Sequence, residues 1–277
     1  MNFIDFASAH GLIIDRLEAG RWSRTRTIDH PHKKNGAYYF SGEFGSLINW
    51  ATMDEHVTWF TEKIYTPEHK AEIELRIQKS KEVYLEDRRQ KQINAAIKAQ
   101  TILSECELDK HDYLIRKGFP DMEANVLYRD NKTPLLCVPM YSKNTLCGIQ
   151  TIDADSTKRF LYGQQTKGAH LRIGQGKKIF LVEGFASALS LQEILRKLSL
   201  DYTIYVTFSA GNTGFMAKYL TNAFIVADND ASQTAQKMAE ASGRPWWMPE
   251  KVGFDINDLH KEVGLFKASQ IFKMGIA

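Results

Sequence analysis

The sequence has 277 residues, 43% of them hydrophobic and 25% charged, which suits one large or two ordinary globular domains and excludes a disordered or fibrous chain. A formal net charge of +3 excludes a uniformly basic protein, so any basic surface must come from local clustering. Cys106, Cys137 and Cys147 form no CxxC pair, which sets aside a zinc ribbon and a disulfide framework and fits reduced thiols in a cytoplasmic protein.

The opening MNFIDFASAHGLIID lacks the basic leader of a signal peptide, and no apolar run approaches the ~20 residues of a membrane span. No membrane partner is expected. Residues 1–64 read as a small aromatic-rich, β-containing module, with an NG step and scattered glycines marking hairpins. Trp22, Tyr38, Tyr39, Phe40, Phe44, Trp50 and Trp59 are rings that such a module needs for its core. They would also suit base stacking, and Arg21, Trp22, Arg24 and Arg26 form a candidate nucleic-acid face. His10, His30, His32 and His56 lack cysteine partners and ligand spacing, so no zinc is expected.

Residues 65–108 contain no glycine or proline after Pro67, a residue suited to a first helical turn. Ile73, Ile77, Val83, Tyr84, Ile93, Ile97 and Ile102 give a thin apolar stripe among charges of both signs. This predicts a long, solvated helical connector.

Residues 109–277 read as an α/β core. YLIRKGFP is a helix with a Gly-Phe-Pro stop, and LLCVPMYSKNTLCGIQTID is a hairpin around Ser-Lys-Asn. The runs KIFLV, TIYVT and AFIVA alternate with helical patterns, which predicts a mainly parallel sheet with ligands at its carboxyl strand ends. Acids gather at those ends. Glu183 follows KIFLV, with Gly184 permitting a sharp change into a helix; Asp228 and Asp230 follow AFIVA; GFDINDLH supplies Asp255 and Asp258. Packed carboxylates repel unless a cation neutralises them, and an oxygen-only set selects Mg²⁺ or Mn²⁺. Just before them lies a basic stretch with Lys158, Arg159, Lys167, Arg172, Lys177 and Lys178, interleaved with Phe160, Tyr162 and His170. It reads either as a solvated face or as a surface for nucleic acid or nucleotide.

The set VEGFASALSL, AFIVADND and GFDINDL resembles, in order and spacing, the Toprim domain shared by bacterial-type primases, topoisomerases and some nucleases. The preceding segment, with KRFLYG in it, is similar to the region before Toprim in phage and plasmid DNA primases. The resemblance covers roughly residues 110–262, with the Rossmann-like Toprim part at about 177–262. It implies a metal-dependent nucleotidyltransferase that makes short RNA primers on a single-stranded DNA template from nucleoside triphosphates, beside a separate replicative helicase. Glu183, Asp228 and Asp230 would be catalytic, and these three with Asp255 and Asp258 would hold the metal. A Toprim nuclease and a degenerate Toprim DNA-binding accessory protein are the alternatives. The chain departs from the family pattern at Ser187, where many primases carry an acid. The glycine usual after the DxD motif is also missing, and there is no zinc finger and no Walker-type phosphate loop.

Overall fold

The computed structural model describes residues 1–53, 55–61, 67–129 and 133–276. The chain is mixed α/β and divides into two compact units, Met1–Asp87 and Arg88–Ala277. The expected boundary at residue 64 lies outside the described residues, and the division falls inside a helix rather than at residue 108.

The first unit holds α1 (Phe3–Ala9), β1 (Leu12–Ile13), β2 (Trp22–Thr27), β3 (Gly36–Phe40), β4 (Phe44–Asn49) and β5 (Val57–Phe60), and α2 (Pro67–Ser104) begins in it. Its strands form one antiparallel sheet in sequence order. Phe3 and Ala7 of α1 pack with Leu12, Tyr38 and Leu47, and Phe40 and Trp59 close around them. Trp22 instead packs at tilted and edge-on angles against Tyr39, His56 and Tyr84, so these rings serve packing.

In the second unit, β6 (Glu107–Asp109), α3 (Asp112–Arg116), β7 (Ala124–Leu127), β8 (Leu135–Ser142), β9 (Thr145–Ile152) and β10 (Lys158–Phe160) come first. The strands form an antiparallel sheet ordered β10-β9-β8-β7-β6. The expected hairpin is β8–β9. Its two central residues, Lys143 and Asn144, have φ of 48° and 64°, the signature of a type I′ turn.

Next come β11 (Leu171–Gly174), β12 (Lys178–Val182), α4 (Phe185–Lys197), β13 (Tyr202–Val206), α5 (Ala210–Tyr219), β14 (Ala223–Val226), α6 (Thr234–Ala241), β15 (Trp246–Trp247) and α7 (Ile256–Gly275). The three apolar runs are β12, β13 and β14. The sheet order is β11-β13-β12-β14-β15, with all pairs parallel except β11 with β13. Side chains alternate across β12. Phe180 and Val182 join the cluster containing α4 and α7, while Leu181 joins residues of α5 and α6 on the other face. Gly264, at φ 76° and ψ 160°, interrupts α7.

Helix α2 departs from expectation. Its buried residues are Ala95, Ala99 and Ile102, the last two packing with Leu127, Cys137 and Ile149 of the antiparallel sheet. Of the expected stripe, Val83, Ile93 and Ile97 are exposed, Tyr84 is half-buried, and the side chains of Ile73 and Ile77 lie outside the described residues. The carboxyl-terminal half is therefore docked rather than solvated, through small residues that carry a weak hydrophobic signal.

Candidate active site

Glu183 continues directly from β12. Its carbonyl accepts the Phe208 amide at 2.9 Å, just as Val182 accepts Thr207, so the β12–β13 ladder runs on to the acid. The carboxylate is half-buried, and the backbone N–H of Ala210, the first residue of α5, favours its charged form. Burial raises its pKa, Asp230 adds to the rise, and Lys158 opposes it. Gly184 has an ordinary φ of −96°, so the glycine is not there for a special turn. A Cβ on it would stand 3.0 Å from Ser187 Oγ and 3.9 Å from Lys158 Nζ, and the glycine leaves that room free.

Asp228 lies two residues beyond β14, the neighbour of β12 in the sheet. Its carboxyl is pushed up to about 7, first by burial, then by the charges of Asp255 and Glu183, while Lys158 pulls the other way. Asn229 is the pin of the DND motif: its side chain donates to the carbonyls of Pro249 and Glu250 at 2.9 and 3.1 Å. Asp230 turns into the chain that follows. Burial works to raise its pKa, but hydrogen bonds from Ser232, Ala235 and Thr234 leave it below the ordinary value.

Asp255 and Asp258 form a capping box at the start of α7. Asp255 Oδ1 accepts the Asp258 amide at 2.8 Å, and its Oδ2 accepts the Ser187 hydroxyl at 3.0 Å. Asp258 accepts the Asp255 amide at 3.3 Å and lies 3.6 Å from Lys117 Nζ. Of the five expected metal-site acids, Glu183, Asp228, Asp230 and Asp255 stay within electrostatic reach of one another, while Asp230 also closes its own turn and Asp255 and Asp258 cap a helix. Among the described residues, no three His, Cys, Asp or Glu side chains stand together as they would around a metal ion. The oxygen-only chemistry of these carboxylates fits Mg²⁺ or Mn²⁺, which keep several waters and need only one or two carboxylates.

The basic stretch is dispersed. Lys158, on the edge strand β10, reaches the acids, and Phe160 beside it makes an edge-to-face contact with Phe208. Arg159 pairs with Asp153 at 2.9 Å, and Lys167 lies 4.8 Å from the centre of the Phe215 ring. Arg172 is exposed one residue from the acid end of β11, where Leu171 pairs with Val206. Lys177 precedes β12 at the opposite end, about 20 Å along the strand from Glu183. His170 is half-buried in an edge-on contact with Tyr205, whereas Tyr162 is 85% exposed. In the first unit, Arg21 pairs with Glu18, Arg24 donates to the Lys34 carbonyl and covers the Trp50 ring, and Trp22 is packed.

Two residues of the site went unread in the sequence. Phe208 holds a positive φ of 67° while buried, an uncommon conformation for a bulky side chain and one that gathers at functional sites. Tyr113 of α3 is fully buried within the cluster that also holds Ala186 of α4. Burial and the charge of Asp255 raise its pKa, so it stays a neutral phenol. Neither carries a local pattern. The only hint was the Ser209 cap behind Phe208.

No family model, curated protein or solved structure matches the chain.

Proposed function

We propose that the chain is a Toprim-type DNA primase, a nucleotidyltransferase that joins ribonucleotides on single-stranded DNA. The observation that carries this reading is the pairing of Glu183 and Asp228 at the carboxyl ends of the neighbouring parallel strands β12 and β14, with Lys158 beside both. Glu183, held off its ordinary pKa by burial, is suited to take the proton of an attacking 3′-hydroxyl. Asp228 supplies anionic oxygen for Mg²⁺ or Mn²⁺, which would neutralise charge on the α-phosphate and the departing pyrophosphate. Lys158 supplies a cation to phosphate, and exposed Phe160 and Tyr162 supply faces for bases. A nucleoside triphosphate, a single-stranded template and a separate helicase are the partners this reading requires. Among the described residues no helix is long and apolar enough to cross a membrane.

The deciding assay offers labelled nucleoside triphosphates and a circular single-stranded template with Mg²⁺ and then Mn²⁺. New oligoribonucleotides, abolished by Asp228→Asn and by Glu183→Gln in folded protein, are expected. A shortened template would assign the same acids to a nuclease. Template binding with neither product would make the chain a replication accessory protein.

A further inference from the structure

We propose that a single-stranded nucleic acid passes from the acid end of the parallel sheet round the edge strand β10 and onto the basic carboxyl-terminal part of α2. The inference rests on the nucleic-acid reading above. Charge is segregated along α2. Residues 67–87 carry six acids and four cations, whereas residues 88–104 carry Arg88, Arg89, Lys91 and Lys98 and no acid. A solvated connector mixes both signs throughout, and the docked part of α2 does not. Arg88, Arg89 and Lys98 are exposed and form no ion pair among the described residues. Arg88, Lys91, Ala95, Lys98 and Ile102 recur at three- and four-residue spacing, so three cations flank the seam along which Ala95 and Ile102 are buried. From Arg88 to Lys98 is ~15 Å of helix.

Strand β10 joins this flank to the acids. Lys158 and Phe160 share one side of the strand, opposite Ile152 and Gln150 of β9. Lys158 acts on Glu183 and Asp228, and Phe160 meets Phe208. Directly beyond, Leu161 packs into the cluster under α2, and Tyr162 stands exposed with the Lys91 ammonium 6.0 Å from its ring centre. Gly163 permits this close approach, since a Cβ there would come within 2.8 Å of Lys91 Cβ. Alternate residues of β8 place α2 on one face of the antiparallel sheet and α4 with α7 on the other: Leu135 and Cys137 pack with α2, while Leu136 and Val138 pack with α4 and α7. A strand going from the acids to α2 therefore turns round the β10 edge, where Phe160 and Tyr162 present their rings. Rings interleaved with cations fit bases interleaved with phosphates.

The test is anisotropy titration of a labelled oligothymidylate with the full chain across a range of salt, with melting curves alongside. Arg88→Ala combined with Lys98→Ala is expected to lower the slope of log affinity against log salt by ~1.4, two phosphate contacts at ~0.7 each. Lys267→Ala combined with Lys273→Ala removes the same charge from exposed positions on α7 and is expected to leave the slope unchanged. Tyr162→Ala is expected to weaken binding about fivefold or more at an unchanged slope, the mark of a lost stack rather than a lost charge. Equal slopes for the two double variants would overturn the inference and leave the primase reading standing. So would an α2 variant that loses binding to phosphatidylserine vesicles while its strand binding is unchanged. A wild type that binds no single strand would remove both.

Discussion

Asp228 ties the chemistry of the site to the stability of the fold. Its carboxyl loses a proton near ~3.9 in an unfolded chain but at about 7 in the folded one, because burial and neighbouring acids disfavour the charge. The folded protein therefore holds the extra proton between those values. Stability is fully present below pH ~4 and falls as pH rises through 7. Asp228→Asn removes the penalty. After discounting for partial exposure, the variant should gain about 1–2 kcal/mol at pH 8, a rise of a few degrees in Tm, and the gain should vanish near pH 4. Thermal unfolding across that range checks it, and a pH-independent difference would contradict the shift. Single residues were unevenly legible in the sequence. Glu183 and Asp228 could be read because each follows an apolar run. Asp255 could be read only as an acid, since its partner Ser187 lies 68 positions away.

At the scale of elements, α2 separates what pattern reads from what it misses. The sequence marks its isoleucines, yet Ile97 is 62% exposed and Ile102 is buried beside Ala99. Ile102→Ala should cost about 2–4 kcal/mol and Ile97→Ala no more than about 0.5 kcal/mol. Urea unfolding of the two variants measures the contrast, and equal losses would place the helix with its other face inward. The β8–β9 hairpin and the strands β12, β13 and β14 were legible because alternation, turn residues and apolar runs coincide there. The edge strands β11 and β15 were not. Each is short, and pairing with a neighbour distant in sequence defines it rather than its own composition.

For the whole molecule, the modest net charge of +3 means that affinity for a polyanion depends on where cations stand. Lys158 lies beside the acids and Lys177 lies at the far end of β12. In anisotropy titrations of a labelled single strand, Lys158→Ala should lower the slope of log affinity against log salt by ~0.7, one phosphate contact, and Lys177→Ala should leave it unchanged. Equal slopes for the two variants would detach the strand from the acid end of the sheet. The three parallel central strands of the sheet were readable from three alternating runs, but their order and the two edge strands were not. The separation of the basic residues was not, because the segment from 158 to 177 serves two different sheets.

Gly264 gives α7 an unusual pattern of backbone protection. The left-handed residue breaks the i to i−4 ladder, so the amides of Leu265, Phe266 and Lys267 begin a new helical stretch without acceptors in the one before. Beyond them Ala268, Ser269 and Phe272 are buried, and before them the Asp255 cap holds the first turn. In deuterium exchange this twenty-residue element should take up label in its middle first, leaving two slow-exchanging stretches that open independently.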